Sequence, residues 1–76
     1  MKSYEIWDTE TGNIIGAWGT QAQALDVVRD AAQRNGESAI DDLALILEVE
    51  DGESRLIAEG SALLALSRTA LRAASL

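Results

Sequence analysis

"YEIWDTETGNIIGAW", residues 4–18, reads as two short strands around a tight turn. The β-formers Tyr4, Ile6, Trp7, Ile14 and Ile15 enrich both runs. "TETG" between them makes a four-residue loop, in which Gly12 can take the positive φ that such loops need near their end. That loop sets Ile6 opposite Ile15 and Trp7 opposite Ile14. Strand residues alternate sides, so Tyr4, Ile6, Ile15 and Ala17 are expected on one face, and Trp7, Ile14, Gly16 and Trp18 on the other. The stretch holds both tryptophans of the chain. Its register decides what they pack against, and a slip of one residue would carry Trp7 to the opposite face.

Outward from this hairpin, "GTQAQALDVVRDAAQRNG" reads as a helix with Thr20 as N-cap and Gly36 as its stop. Ala24, Leu25, Val28, Ala31 and Ala32 fall on one arc, with Gln23, Asp26, Arg29, Asp30 and Gln33 opposite, so one face meets a core and one is wet. "DLALILEVEDGESRLIAEG" is a second hairpin, with Asp51-Gly52 as a two-residue turn signal. That turn pairs Glu50 with Glu53, Val49 with Ser54, Glu48 with Arg55, Leu47 with Leu56, Ile46 with Ile57 and Leu45 with Ala58. The opposite charges of Glu48 and Arg55 favour the register. "GSALLALSRTALRAASL" closes the chain as a second helix capped by Ser61.

The order is β-β-α-β-β-α. The predicted fold is α+β, a four-stranded antiparallel sheet with two helices on one face. It forms one domain over residues 1–76, built from ββα units at 3–36 and 41–76. Gly19-Thr20 and Gly60-Ser61, 41 residues apart, open the two helices as a weak internal echo.

A chain of 76 residues buries roughly 60–65% of the surface its unfolded form exposes, so its own core is marginal. Chains of this size often add a disulfide, a metal or a second subunit. Cysteine and histidine are both absent, which removes disulfides and the usual zinc and copper ligands, and leaves oligomerisation. Thirteen acidic against six basic residues give a net charge of −7. Such a surface repels nucleic-acid backbones and anionic membranes, and suits solubility or a basic protein partner. No run approaches the ~18 apolar residues of a membrane span, and "MKSYEIWD" lacks the apolar core of a signal peptide. A cytoplasmic location is expected.

Catalytic chemistry finds no foothold. A Ser-His or Cys-His pair is impossible without histidine or cysteine, and a Ser-Lys pair would need Lys2 at the terminus. There is no glycine-rich phosphate loop. "DTETGN" lacks the spacing and terminal Glu of an EF-hand, and Asp41-Asp42 with Glu48, Glu50, Asp51 and Glu53 read as a solvated edge. No catalytic, cofactor-binding or metal-binding residue is assigned, and no cofactor is expected.

The apolar pattern leaves a surplus. Leu43, Leu45, Leu47, Leu56 and Ala58 suit the helix side, with Tyr4, Ile6 and Ile15 as neighbours. Trp7, Ile14, Trp18, Ile46 and Ile57 are then left on the face away from the helices, rimmed by Glu5, Glu48, Glu50 and Arg55. Two indoles and three isoleucines on an open sheet are unusual for a free monomer, and tryptophan is a favoured interface anchor. In the last helix, Leu63, Leu64, Leu66, Ala70, Leu71 and Ala74 span an arc of about 160°, wider than the roughly 100° one sheet covers. Leu64 and Leu71 form its outer edge. Either that helix wedges between the sheet and the first helix, or this edge meets a partner.

"YEIWDTETGNIIGAWGTQAQALDVVRD" resembles short bacterial hypothetical proteins that open with a Tyr-Glu-x-Trp-Asp strand, then Gly-Asn, then a Thr-capped helix with an Ala-Leu step. That resemblance implies no activity. A fainter similarity is to HicB-type antitoxins, in which a strand hairpin also precedes such a helix; their proline-glycine turn and appended DNA-binding unit have no counterpart in these residues. The expectation is therefore a small non-catalytic module for protein–protein contact, a homodimer through Trp7, Ile14, Trp18, Ile46 and Ile57 with Leu64 and Leu71. The alternatives are an antitoxin-like or inhibitory acidic partner of a basic protein, and a binder that stacks a planar ligand on the two indoles.

Overall fold

A computed structural model describes residues 2–50 and 52–74, with side chains through residue 69. Strands β1 (Ser3–Asp8) and β2 (Asn13–Trp18) are followed by helix α1 (Gln21–Asn35) and a 3-10 turn at Glu37–Ile40. Strands β3 (Leu43–Glu48) and β4 (Ser54–Glu59) then lead into helix α2 (Gly60–Ala74). All neighbouring strands are antiparallel, in the order β2-β1-β3-β4, so the fold is the expected α+β arrangement with the first strand of each half at the centre. No helix among the described residues is long and apolar enough to cross a membrane.

Local chemistry sets the first half. The Asp8 side chain accepts from the backbone N–H groups of Glu10 (2.9 Å) and Thr11 (3.3 Å), and the Gly12 N–H donates to the Asp8 carbonyl at 2.8 Å. Gly12 takes φ +75°, where a side chain would strain the loop. Thr20 and Gln23 form a reciprocal capping box: the Gln23 N–H donates to Thr20 Oγ1, and the Thr20 N–H to Gln23 Oε1, both at 3.2 Å. Thr20→Ala should cost about 1 kcal/mol and lower the melting temperature by roughly 4–8 °C in a circular-dichroism melt. An unchanged melt would show that the cap contributes nothing. At the other helix, β4 runs straight into α2 at Gly60, two residues earlier than a Ser61 cap implies.

Both hairpins carry a β-bulge, which revises the expected registers. In the first, Asp8 pairs with Asn13 and Trp7 with Ile14, as the loop length requires. Ile6 then pairs with Gly16 rather than Ile15, and Tyr4 with Trp18. Ile15 is the extra residue. It shifts Ala17 to the outer face and Trp18 to the helix side. In the second hairpin the expected two-residue turn includes Asp51, which lies outside the described residues. The flanking bonds are Val49 N–H to the Glu53 carbonyl (3.0 Å) and Gly52 N–H to the Val49 carbonyl (3.1 Å), so Val49 faces Glu53 and not Ser54. Glu48 therefore pairs with Ser54, Leu47 with Arg55 and Ile46 with Leu56. The expected Glu48–Arg55 pairing is not made. Ile57 is the extra residue here, after which Leu45 meets Ala58 as expected. A one-residue shift exchanges faces. Leu56 thus moves outward to 53% exposure, while Ile57 packs against the core.

The two bulges occupy equivalent places, opposite Ile6/Trp7 in one half and opposite Leu45/Ile46 in the other. Ile6 and Leu45 pair with each other across β1 and β3. The pairings are those of an approximate twofold axis through the Ile6–Leu45 pair. These two residues, 1% and 0% exposed, anchor a core completed by Ala24, Leu25 and Val28 of α1, Leu63 and Leu64 of α2, and Ile40 of the 3-10 turn. Tyr4, Trp18, Leu43, Ile57 and Ala58 pack around it. Both helices therefore cover the same sheet face. They are tied to each other by Arg29, which donates to the Ser67 carbonyl (2.7 Å) and pairs with Asp26. The fully buried Ser67 hydroxyl donates to the Leu64 carbonyl at 2.7 Å.

Candidate functional site: the uncovered sheet face

Alternation and the observed pairings place two cross-strand rows on the face away from the helices. One runs Ile14–Trp7–Ala44–Glu59 and the other Ala17–Glu5–Ile46–Leu56. The approximate twofold exchanges them, setting Trp7 and Ile14 against Ile46 and Leu56. Ser3, Glu48 and Ser54 continue the face at one end. Ile14 is 47% exposed, Trp7 and Ile46 are half-buried, and Ile15 stands 55% exposed at the β2 bulge. Ala44 is buried but stands outside the helix-side cluster, paired with Trp7 on this face.

The Trp7 indole lies back along its own strand. Its Nε1–H donates to Glu5 Oε1 at 2.9 Å, which satisfies the one polar atom of the ring and fixes the ring beside a carboxylate. No described residue makes a hydrogen bond to the second oxygen of Glu5. The strand charges on this face, Glu5, Glu48 and Glu59, are all negative. Arg55 pairs with Leu47 on the helix side, and Lys2, just before β1, lines a cavity at the end of the sheet with Leu47, Val49, Glu53, Ser54 and Arg55. The other described cations lie on the helices with acidic partners: Arg29 with Asp26, Arg34 with Asp30 at 3.1 Å, and Arg68 with Glu37.

Of the residues expected here, Trp7, Ile14 and Ile46 are brought together. Trp18 and Ile57 are not: the bulges turn both toward the core. Leu64, expected at an outer helix edge, is buried in the core, because α2 packs against α1 as well as the sheet. The Leu71 side chain lies outside the described residues. The two indoles occupy opposite faces of the sheet, so no ligand can stack on both. Leu56 and Ile15 belong to the exposed apolar surface and were missed. Their signal is the doublet Ile14-Ile15-Gly16, repeated as Leu56-Ile57-Ala58: two adjacent large apolar residues break strict alternation at the same place in both edge strands.

The groove between the helices is lined by Arg29, Ala32, Gln33, Glu37, Leu64 and Arg68, with both arginines already engaged. Among the described residues no cluster of three or more potential ligands is placed to hold a metal ion. The Asp8 carboxylate of "DTETGN" is occupied by backbone donors of its own turn. Compared with known proteins, the chain matches no family model, no curated protein and no solved structure.

Proposed function

We propose that this chain is a non-catalytic interaction module that works by burying its uncovered sheet face against another polypeptide. The observation that carries the reading is the pair of apolar rows, with Trp7, Ile14, Ile46 and Leu56 held on a rigid sheet that neither helix covers. An indole buried at an interface removes roughly 150–250 Å² from water, and a partly exposed ring with its N–H already satisfied can be covered without stranding a donor.

The double variant Trp7→Ser/Leu56→Ser tests the reading. Both side chains are partly or largely solvated in the single chain, so the variant should fold and stay within about 1–2 kcal/mol of the parent. Loss of the fold would show that these side chains serve folding, and would overturn the reading.

A second copy of the chain is the simplest occupant, and light scattering over a range of protein and salt concentrations measures it. Stacking two such faces brings Glu5, Glu48 and Glu59 of each copy together with no cation between them. Self-association is therefore expected to strengthen as salt screens that repulsion, over a Debye length near 10 Å at 0.1 M. The double variant should abolish it. A basic partner gives the opposite salt dependence. The charge on the face favours that second occupant.

A further inference from the structure

We infer, building on the interaction reading, that the occupant of the uncovered face is a polypeptide segment presenting arginine or lysine between apolar side chains, its cation seated on the Trp7 indole against the carboxylate of Glu5. Charge segregation is the first ground. Every strand charge on this face is a carboxylate, and the described cations lie on the helices, on the helix side of the sheet or at its end. The chain has no described cation of its own beside Glu5, so a cation brought by a partner meets no competitor there.

The Trp7–Glu5 pair is the second ground. The hydrogen bond from Nε1 to Oε1 occupies one carboxylate oxygen and holds the ring next to the other. A cation above an indole gains from the ring quadrupole, and a carboxylate beside the ring adds a charge-assisted hydrogen bond. Trp7 and Glu5 are two residues apart on one strand, about 7 Å, which matches the same-face repeat of an extended segment. Ile14 on one side, with Ile46 and Leu56 on the other, offers apolar contact to the residues that flank the cation.

Repulsion is the third ground. Two copies stacked on this face set Glu5, Glu48 and Glu59 of one against those of the other with no described cation between them. A segment that brings its own cation meets no such cost.

The test uses the full chain and three synthetic peptides of equal length with Ser at every second position; the positions between alternate Leu with Arg, Leu with Ser, or Arg with Ser, so that Leu and Arg of the first peptide share one face of the extended segment. Binding is read by calorimetry and by the two indole N–H resonances, with Trp18 as internal reference. The Leu/Arg peptide is expected to bind most tightly, to move the Trp7 resonance and leave Trp18 unmoved, and to weaken with added salt. Glu5→Gln keeps an acceptor for the indole N–H and removes only the charge, so it should weaken that peptide about five-fold and leave the Leu/Ser peptide unchanged. Equal binding of the Leu/Ser and Leu/Arg peptides, or no effect of Glu5→Gln, would overturn the cationic occupant while leaving the face as an interaction surface. Leu/Arg binding that Trp7→Ser leaves intact, or that moves Trp18 instead, would overturn both readings. Absence of binding by every peptide overturns the cationic segment, and a salt-strengthened dimer found beside it assigns the face to a second copy.

Discussion

Leu45→Ala is expected to lower the melting temperature by roughly 10–30 °C. Leu45 has no exposed surface and pairs with Ile6 at the centre of the sheet, beneath both helices. Truncating such a leucine costs about 2–5 kcal/mol, the sum of lost transfer energy and the cavity left behind. A domain of this size has about twice that in total, at roughly 0.05–0.15 kcal/mol per residue. The informative control is Leu56→Ala. The expected register, with Leu47 opposite Leu56 and Leu45 opposite Ala58, puts Leu45 and Leu56 on the same face, whereas the observed turn closure and bulge send Leu56 to the solvent face at 53% exposure. Leu56→Ala should therefore cost under about 1 kcal/mol. A melt as damaged by Leu56→Ala as by Leu45→Ala would contradict the Ile46–Leu56 register, and with it the composition of the uncovered face.

What the sequence makes legible is local. The four-residue loop ending at Gly12, the Thr20 cap and the Asn35-Gly36 stop each act within a few residues, and each is found where the sequence places it. Trp7 and Ile14 are legible because they adjoin that loop, on its side of the bulge. The second hairpin shows how a local misreading spreads and then ends. The turn closes one residue away from the expected place, so every pair between it and the bulge is displaced by one, through Ile46 with Leu56. The bulge at Ile57 absorbs the offset, and Leu45 meets Ala58 as expected. The Ile14-Ile15 and Leu56-Ile57 doublets mark where a bulge can fall, but which residue is the extra one is chosen by packing across the sheet and beneath the helices. The same holds for Ile40, an isolated apolar residue in a 3-10 turn that becomes fully buried, and for Leu64, whose burial depends on how α2 meets α1. The aromatic face was thus half legible. Its occupants next to the first loop could be read, and those beyond a bulge could not.

Trp18 and Trp7 should behave as opposites, one retained for folding and one for binding. Trp18 packs against the helix-side core and rests on its own strand: a Cβ at Gly16 would stand 2.8 Å from Cη2 and 3.1 Å from Cζ2 of its ring. Trp18→Ala is expected to cost about 2 kcal/mol, less than a fully buried indole because the ring is only half covered. Trp7→Ala should cost under about 1 kcal/mol and remove partner binding. Gly16→Ala forces the Trp18 ring off its seat, at an expected cost of about 1–2 kcal/mol, visible as a shift in Trp18 emission. The argument is sharpest as a cycle. With Trp18 already truncated to alanine, the methyl at position 16 has nothing to strike, so Gly16→Ala should then cost little, and the two changes should be non-additive by about 1 kcal/mol. Additive costs would mean that the indole does not lie on Gly16. The reason for the first bulge would then be lost, because the Ile15 insertion is what brings Gly16 and Trp18 to the same face as Ile6.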